Sequence, residues 1–372
     1  MDKKKNTNME VKKKNRNDVF RYICRNGMVS NPDIAYALKL SLPTATQITK
    51  ELIERGLVEE MGEMESTGGR RAKALAVSGN AGKAAGLDIT KNHISLILTE
   101  LSGKILKYER IFLPYAEGDS YYLEVNQKID KFLEAGGCSR ENLLGIGISF
   151  PGIIDLDQEL VADSHVLGIC GLPFSEVSRF FSYPCHFLND ANAGAYAEGT
   201  LSENRTPFFY LSLSNTVGGA VYSNGRLEQG RNFRCGEVGH MTVVLDGKAC
   251  YCGKYGCLDA YCSAKCLTDE RVEDFFERLK NSEQEAVSLW EQYTSYLAVA
   301  VNNIHMVLDC DIVLGGYAGS CMGEFVQDIR DKVIERNTFE EDGSFIRTCS
   351  HKTGAAAFGA SLKVIELFME QV

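Results

Sequence analysis

One stretch of the 372-residue chain carries side chains typical of a metal site. His240 is followed by a cysteine-rich run that contains Cys250, Cys252 and Cys257. One imidazole and three thiolates are the donor set of a tetrahedral zinc site, and a site closed by four protein ligands is structural rather than catalytic. We therefore expect one structural Zn²⁺ bound by these four residues.

Two glycines in the same run support this interpretation. Gly253 and Gly256 serve no predicted helix or strand, and they allow the loop to fold tightly on itself. Cys262 and Cys266 are near enough in the sequence to compete as ligands. A chance grouping of four unrelated residues is the simpler alternative.

Two acidic residues flank the metal site. Glu237 lies three residues before His240, and Asp259 lies two residues after Cys257. If one ring nitrogen of His240 binds zinc, the other is free to donate a hydrogen bond to a ligand. Carboxylates that accept hydrogen bonds from neighbouring hydroxyls suit a sugar ring, whereas salt-bridged surface acids are the alternative.

A further acid follows an apolar strand predicted at 185–188. Asn189 and Asp190 end this strand and begin an alanine-rich helix that extends to about Glu198. Asp190 in this position suits a general base for a hydroxyl group, with Asn189 orienting the same substrate. It equally suits a helix N-cap, and the local sequence leaves both interpretations open.

The body of the chain contains two similar series of elements, which predict two lobes with a cleft between them. The first series has strands at 85–89, 94–98 and 105–112, a helix at 122–133 and a strand at 144–149; the second has strands at 208–213 and 217–222, a strand after the Asn224-Gly225 turn, a long helix from Trp290 to Leu308 and a strand at 312–314. The sequence contains neither a Walker loop nor a G-x-G-x-x-G fingerprint, so P-loop and Rossmann nucleotide binding have no support.

The first eighty residues predict three helices and a hairpin, the order of a winged helix. The helices are a first one at 18–25, a second with Asn31 as N-cap and Pro32 at its first position, and a third capped by Ser41 with Ala45, Ile48 and Leu52 on its inner face. The hairpin strands are predicted at 57–59 and 74–77. A helical protein-interaction module of the same pattern is the alternative.

The third helix and the hairpin tip carry the candidate DNA contacts. Thr44, Thr46, Gln47 and Lys50 face outward on the helix, as the reading of base edges in a major groove requires. The tip, 68–71, offers Arg70 and Arg71 to phosphate or to a minor groove.

Charge divides the chain in the same place. Residues 1–80 contain 15 Lys and Arg against 10 Asp and Glu, so the net charge of −10 combines a head of +5 with a body of −15. This asymmetry favours a nucleic-acid-binding head on a domain that does not touch nucleic acid, although a solvated lysine tail is an alternative.

The sequence predicts a cytoplasmic protein. No apolar run approaches the roughly 18 residues of a membrane helix, and the N-terminus has no apolar signal core. Eight of the 13 cysteines are scattered away from the metal run, so we interpret them as buried thiols in a reducing compartment.

Several motifs together resemble those of the ROK family of repressors, open reading frames and sugar kinases, over nearly the full length of the chain. They are Gly86-Leu87-Asp88-Ile89, Ser149-Phe150-Pro151-Gly152, Asn189-Asp190-Ala191-Asn192-Ala193, Thr216-Val217-Gly218-Gly219, Gly236-Glu237-Val238-Gly239-His240, the cysteine run 250–257 and Leu314-Gly315-Gly316. The resemblance implies an α/β, actin-like (ribonuclease H-like) ATPase fold of two lobes, a structural zinc and a hexose pocket. It also implies that Asp190 matches the catalytic base of the kinase members. The head looks like the winged helix of the family's repressors, of the xylose and N-acetylglucosamine type.

Two departures separate the chain from the kinase members. Their first phosphate loop is Asp-x-Gly-Gly-Thr-Lys, whereas residues 88–93 read Asp-Ile-Thr-Lys-Asn-His; the second, Gly-Thr-Gly-Val-Gly-Gly, reads Ser-Asn-Thr-Val-Gly-Gly at 214–219. Phosphoryl transfer depends on positioning by such loops, so we expect no catalytic residue and interpret Asp190 as a vestigial base that accepts a sugar hydroxyl. Asp259 stands where the family has Glu.

These inferences predict a sugar-responsive repressor of transcription with Asn189, Asp190, Glu237, His240 and Asp259 around the sugar. The expected parts are a winged helix at 1–80, lobes at 81–190 and 191–350, and a C-terminal helix at 351–372 that packs back on the first lobe. The expected partners are operator DNA, a sugar or sugar phosphate, and a second copy in a homodimer or dimer of dimers, with no membrane. An active sugar kinase with an appended DNA-binding head, and a scaffold that does not bind DNA, are the alternatives.

Overall fold

The computed structural model describes residues 8–64, 72–201 and 206–372. Its N-terminal part has the predicted order of three helices and a hairpin. Its elements are α1 (Asn8–Asn26), α2 (Asn31–Ala37), α3 (Leu42–Glu54), β1 (Val58–Glu63) and β2 (Lys73–Val77). The two strands pair antiparallel, and an isolated bridge between Val29 and Leu75 adds a third short segment to the sheet. This arrangement is a winged helix, as predicted.

Two details of the head differ from the sequence prediction. Helix α1 begins at Asn8, well before the predicted start at Asp18, and includes the lysine run 12–14. The N-cap of α2 is Ser30 rather than Asn31, because the Ser30 side chain accepts from the Asp33 N–H while the Asp33 carboxylate accepts from the Ser30 N–H. This reciprocal pair satisfies two backbone donors, which Asn31 alone does not.

The first lobe is a five-stranded mixed sheet. Its elements are β3 (Lys83–Ile89), β4 (His93–Glu100), β5 (Ile105–Phe112), α4 (Asp119–Ala135), β6 (Leu143–Phe150) and β10 (Cys185–Asn189). Strands β3, β4 and β5 form an antiparallel meander, and β6 and then β10 add to β3 in parallel. Strands β3, β4 and β6 are buried almost throughout, so their apolar runs made them readable from the sequence.

The second lobe repeats this topology. Its sheet contains β11 (Phe208–Leu213), β12 (Val217–Ser223), β13 (Arg226–Glu228), β14 (Asp311–Gly315) and β15 (Ile346–Thr348). Strands β11, β12 and β13 form an antiparallel meander, and β14 and then β15 add in parallel on the side of β11. The β12–β13 turn has Asn224 and Gly225 at positive φ, the geometry that the Asn-Gly pair predicts.

The remaining elements connect and cover the two sheets. They are β7 (Ile153–Asp155), β8 (Leu160–Ser164), β9 (Ile169–Pro173), α5 (Phe174–Ser178), α6 (Asp190–Leu201), α7 (Asp259–Cys262), α8 (Val272–Lys280), α9 (Gln284–Leu308), α10 (Gly316–Gly319), α11 (Val326–Ile334) and α12 (Ala355–Gln371). Strands β7, β8 and β9 form a small antiparallel sheet that sequence reasoning missed. Among the helices of the described residues, none is both long and apolar enough to cross a membrane.

Helix α12 connects the body to the head. It packs on β3, β4 and β6 of the first lobe and on α6, and it also contacts α1. At its end, Phe368 meets Phe20 of α1 edge-to-face with ring centroids 6.5 Å apart. Arg16 of α1 and Arg55, the C-cap of α3, both donate to the backbone oxygen of Val372. A displacement of α12 would therefore move the winged helix.

Candidate functional site

The four predicted metal ligands lie together. The donor atoms of His240, Cys250, Cys252 and Cys257 are all within 4.8 Å of one another. The Sγ atoms of Cys252 and Cys257 are 3.8 Å apart, and Nδ1 of His240 is 3.9 Å from Sγ of Cys250. Thiolates at about 2.3 Å from a tetrahedral zinc are separated by about 3.8 Å, so the spacing fits such an ion. The group can bind a metal.

The loop that presents the cysteines depends on its glycines. Gly253 and Gly256 both have positive φ, of 79° and 77°. At Gly256 a β-carbon would lie 1.7 Å from the carbonyl oxygen of Val244, so only glycine fits there. The two competing cysteines lie outside the cluster: the buried Cys262 thiol is directed at the backbone oxygen of Tyr293, and the Cys266 thiol at the backbone oxygen of Asp259. The scattered cysteines are not all buried as expected, because Cys170 is exposed on the small β7–β9 sheet.

A series of ring contacts extends from His240 toward the first lobe. Nε2 of His240 lies 3.4 Å from the Tyr251 hydroxyl, and the two rings meet edge-to-face. Tyr251 in turn stacks on His165, which follows β8, with ring centroids 4.4 Å apart. Sequence analysis missed both Tyr251 and His165. The signal for Tyr251 was an aromatic residue between two ligand cysteines.

Two carboxyl groups, Asp88 buried and Asp190 half-buried, lie at the ends of first-lobe strands. Asp190 begins α6 directly after β10, and its Oδ1 accepts from the Ala191 N–H at 2.9 Å. Burial, and then the neighbouring carboxylates of Asp88 and Glu237, raise the pKa of Asp190 to about 7. Asp88 ends β3 and accepts from the Ser149 hydroxyl at 2.9 Å, and burial raises its pKa to about 6. A ligand hydroxyl that donates to either carboxylate would replace the missing solvation of the charged form.

Two further acids, Glu237 and Asp259, flank the candidate metal ligands in the sequence, and the charge of His240 acts on both carboxyl groups. Burial raises the pKa of Glu237, which is opposed by the charges of His240 and Arg234. Burial also raises the pKa of Asp259, whose Oδ2 accepts from the Val217 N–H at 2.6 Å. Asp259 thus holds the start of β12, beside the turn at 214–216, and retains one oxygen for a ligand.

Both polar atoms of the Asn189 side chain form hydrogen bonds to the backbone. Its Nδ2 donates to the Gly152 oxygen at 2.6 Å, and its Oδ1 accepts from the Asn192 N–H at 3.0 Å. It lines a cavity of about 280 Å³ between β13, α6 and α12, whereas Asp259 lines a different cavity between the lobes. The structure therefore does not bring all five predicted sugar residues around one cavity.

The cavity between the lobes that Asp259 lines, termed here the interlobe cavity, has a volume of about 490 Å³. Its lining comes from both lobes and includes the polar residues Lys91, His165, Asn215, Thr216, Asp259 and Lys265. Residues 91 and 92 lie in the β3–β4 turn, and residues 215 and 216 lie in the β11–β12 turn. These are the two segments that the sequence analysis compared with the phosphate loops of the kinase members.

Tyr317 joins these two segments. Its backbone N–H donates to the Ser214 hydroxyl at 3.3 Å, and its phenol lies near Thr90, whose side chain acts to lower the phenol's pKa. The Arg110 guanidinium lies over its ring, 5.4 Å from the centroid. Thr90 also closes its own turn, with its hydroxyl 2.9 Å from the His93 oxygen. A large side chain therefore spans the gap between the two loops.

The predicted recognition helix has the expected faces. The Ser41 hydroxyl caps α3 by accepting from the Thr44 N–H, and Ala45, Ile48 and Leu52 are buried. Thr46, Gln47 and Lys50 are exposed and Thr44 is half-buried; Gln47 and Lys50 contact Glu51 and Glu54 of the same helix. Arg70 and Arg71 lie outside the described residues.

A winged helix joined to a mixed α/β body whose two lobes repeat one sheet topology defines the class of two-lobed, actin-like sugar-kinase folds with an N-terminal helix-turn-helix. The chain belongs to the ROK family, whose model matches residues 84–366, and a winged helix-turn-helix DNA-binding model matches residues 13–59.

Relatives and solved structures agree with this assignment. The xylose repressor of Bacillus spizizenii is 30% identical over 380 residues, which cover 97% of each chain. The DNA-binding transcriptional dual regulator NagC of Escherichia coli K12 is 29% identical over 265 residues, covering 70% of this chain and 65% of NagC.

The fold is shared with two kinds of ROK protein. A crystal structure of a ROK family transcriptional regulator, a homolog of the E. coli MLC protein, superposes with a TM-score of 0.78 at 22% identity and 97% coverage of both chains. A ROK family glucokinase from Streptomyces griseus, in complex with glucose and AMPPNP, gives a TM-score of 0.66 at 20% identity, covering 76% of this chain and 99% of the glucokinase.

Proposed function

We propose that this chain is a sugar-responsive repressor of transcription, which binds operator DNA through its winged helix and a sugar-type effector between its lobes. The observation that carries the proposal is the winged helix itself, attached to a ROK body and shared over 97% of the length of a relative named as a xylose repressor. The basic head and acidic body are consistent with this division of work.

The effector contacts in this proposal are the acids around the cleft. Asp190, Glu237 and Asp259 each have a carboxyl pKa raised by burial, and hydroxyl donors would stabilise their charged forms. Metal binding through Nδ1 would leave Nε2–H of His240 as a donor beside the Tyr251 hydroxyl. Asn189 is assigned to hold the start of α6, which carries Asp190.

The metal in this proposal is a structural zinc. The thiolate and imidazole donors suit Zn²⁺, and the four-ligand set leaves no open position for chemistry. Its effect here would be to hold His240 and the loop that leads to Asp259. The zinc would thus fix one wall of the cleft without taking part in a reaction.

The same proposal assigns no kinase activity to the chain. Tyr317 spans the gap between the two former phosphate loops, and Thr90 fills the first loop where glycine backbones approach phosphates in the kinase members. The retained Asp190, next to Glu237, is the observation that favours the alternative of an active sugar kinase. A coupled ATPase assay over a hexose panel separates the two, because only the kinase turns over ATP.

The experiment that tests the regulatory proposal measures operator affinity with and without effector. A thermal-shift screen of sugars and sugar phosphates first identifies ligands, since a ligand that binds only the folded state raises the melting temperature. The ligands found should then change operator affinity by about 5- to 150-fold. Unchanged affinity at saturation with every such ligand would contradict the proposal.

Glu237→Gln provides the matched variant. It should weaken effector binding and leave operator binding without effector nearly unchanged, because Glu237 is assigned to the effector and belongs to the body, not to the winged helix. Asp163→Asn is a useful control, since Asp163 is an exposed carboxylate that acts on Glu237 only through its charge. Asp163→Asn should leave effector binding within about twofold.

A further inference from the structure

The cavity of about 280 Å³ between α6, α12 and β13, termed here the α6–α12 cavity, has a largely apolar wall. Five apolar side chains contribute to this wall: Ile154, Leu156, Phe187, Leu227 and Phe233. Phe187 is only 8% exposed, so the cavity reaches into the body rather than lying on its surface. An apolar cavity of about 150 Å³ is enough for a benzene ring, so this one has room for a ring with a short substituent.

The α6–α12 cavity is a different space from the one assigned to the sugar-type effector. Among the described residues, Asp190, Glu237 and Asp259 do not line it. Asn192 does, and it lies two residues after Asp190 on α6. Side chains two positions apart are separated by about 200° around a helix, so Asn192 and Asp190 point to opposite sides of α6. Asn189 also lines the cavity, but backbone groups already hold its amide.

The charged groups of the lining favour a neutral ligand. Nζ of Lys363 lies 2.6 Å from Oε2 of Glu366, and Arg226 pairs with Glu228 at 3.4 Å. Glu370 is exposed, so water solvates its charge. A charged ligand would have to break one of these pairs or lose its hydration against an apolar wall, and both are costly.

The amide of Asn192 adds one polar contact to the cavity. Its Oδ1 is buried and accepts no hydrogen bond within the described part of the chain. The terminal torsion of an asparagine side chain is soft, so the amide can turn and present this oxygen to a donor in the cavity. A buried acceptor without a donor is costly, and a ligand O–H that reaches it would gain affinity.

We propose that the α6–α12 cavity binds a second effector, a neutral single-ring aromatic molecule that carries a hydroxyl group. The rings of Phe187, Tyr196 and Phe233 in the lining favour an aromatic ligand, because stacked and edge-on ring pairs add to the gain from burial. The hydroxyl is matched to the amide of Asn192. A sugar does not suit this cavity, because several of its hydroxyls would face the apolar wall without partners.

The position of the cavity connects it to the winged helix. Helix α12 supplies Lys363, Glu366 and Glu370 to the lining, and its end contacts the head. The backbone oxygen of Glu370 accepts from the Asn17 side chain of α1 at 3.5 Å. A ligand between α6 and α12 stabilises one packing of the two helices, so it changes operator affinity by its preference for that packing. This role as an effector rests on the proposed function, because it requires operator binding.

The first test measures the affinity of the full chain for two matched pairs of probes by ligand-observed NMR. The pairs are benzyl alcohol with toluene, and phenol with benzene. In at least one pair the hydroxyl-bearing member should bind about fivefold tighter, as expected for one neutral hydrogen bond. Asn192→Leu should remove that advantage and retain binding of the hydrocarbon.

Filling the cavity should abolish binding of all four probes. Leu227→Trp fills it from β13, and Leu156→Trp fills it from its exposed rim should Leu227→Trp fail to fold. The matched control is Leu245→Trp, at an exposed leucine of the body outside the lining, which should leave every affinity unchanged. The melting temperature of each variant reports whether it folds.

The second test measures operator affinity with and without saturating benzyl alcohol. The wild type should change by about fivefold or more, and the variant with the filled cavity should not change. If no probe binds, if the filled variants bind as the wild type does, or if a sugar effector displaces the probe, the site is overturned while the sugar-responsive function stands. If the probe binds in the cavity and operator affinity stays the same, its role as an effector is overturned. If the chain binds no operator, the proposed function fails, and the NMR titrations still decide the binding site.

Discussion

The carboxylate of Asp259 accepts a hydrogen bond of 2.6 Å from the backbone N–H of Val217. Asp259 lies two residues beyond Cys257 of the candidate metal cluster, and Val217 begins β12, directly after the turn at 214–216. The bond therefore ties the metal loop to the wall of the interlobe cavity. Both residues are buried, so the amide of Val217 has no water to replace this acceptor.

Removing the acceptor at Asp259 should cost stability. Asp259→Ala leaves a buried N–H unpaired, and we expect a loss of about 1–3 kcal/mol in the free energy of unfolding. Asp259→Asn retains a side-chain oxygen that can accept the same bond, so its loss should be smaller. Urea denaturation of the three proteins measures the difference, and equal losses in the two variants would contradict the assigned role of the bond.

Metal content provides the second prediction. Freshly purified protein should contain about one equivalent of zinc per chain, and chelation or Cys252→Ser should destabilise the second lobe because metal-binding energy is partly folding energy. Cys170→Ser is the control, since Cys170 is an exposed free thiol outside the cluster. Metal analysis that finds well under one equivalent would remove the zinc assignment.

The third prediction concerns the dependence of stability on pH. The pKa of Asp190 is raised from 3.8 to about 7 in the folded protein. Between these values the unfolded chain has lost the proton and the folded chain retains it, so the contribution of Asp190 to the free energy of unfolding falls as pH rises and levels off above about pH 7. Asp190 therefore opposes folding most strongly at alkaline pH.

Asp190→Asn isolates this contribution. Its side-chain oxygen can still accept from the Ala191 N–H, but it carries no charge, so the variant should be more stable than the wild type at pH 8. The difference between the two proteins should widen by about 2 kcal/mol from pH 5 to pH 8. Comparing the two at each pH cancels the pH dependence of the metal site, and a constant difference would mean that Asp190 is not buried as an acid.

Much of the fold could be predicted because local patterns and packing agree. The buried strands β3, β6 and β11 read as apolar runs, and the Asn224-Gly225 turn identified its hairpin. The small sheet of β7, β8 and β9 was not predicted, because its strands of three to five residues are only partly buried and have no clear alternation. The start of α1 was also missed, since its first turns are exposed and lysine-rich.

The metal cluster was predictable for a different reason. His240 and the three cysteines are few in type and close in sequence, so their chemistry marked the site before any geometry was known. The contacts of Tyr317 and His165 depend on which turns the two lobes bring together. No local sequence pattern predicts such long-range contacts. Asn189 shows the limit of predicting a ligand contact from residue type, because its side-chain amide is hydrogen-bonded to the surrounding backbone.

The recognition helix gives a prediction that separates two kinds of DNA contact. Gln47→Ala should relax discrimination between operator sequences, at a cost of about 1–3 kcal/mol for the cognate site, because an exposed amide there can read base edges. Lys50→Ala should weaken all sequences alike and make the salt dependence shallower, as loss of a phosphate contact does. Binding titrations at several salt concentrations distinguish them, with Lys254→Ala on the body as a control expected to change nothing.

Two copies of the head should bind one operator. A single winged helix has too small a footprint for operator specificity, so we expect a homodimer on a pseudo-palindrome whose half-sites lie about one helical turn, or a multiple of it, apart. Footprinting checks the spacing, and sedimentation checks the assembly. Protection of one short, asymmetric site by a monomer would count against this expectation.

The last prediction concerns the path from the cleft to the head. Asp190 begins α6, α6 packs on α12, and Phe368 and Val372 at the end of α12 contact α1 and the end of α3. An effector that moves Asp190 can therefore shift the winged helix through α6 and α12, which are already in contact with each other and with the head. Because an effector shifts DNA affinity only by its differential affinity for two states, weakening this path should reduce the coupling without altering either site.

Phe368→Ala removes the ring contact with Phe20, and Arg55→Gln weakens the bond to the Val372 oxygen. Each should bring the effector-dependent change in operator affinity from about 5- to 150-fold toward onefold, with effector affinity in the absence of DNA unchanged. Phe368→Leu, which retains an apolar side chain, should keep most of the coupling. If Phe368→Ala and Arg55→Gln both bind operator and effector normally and still show full coupling, the signal does not pass through α12, because these two contacts join its end to different helices of the head.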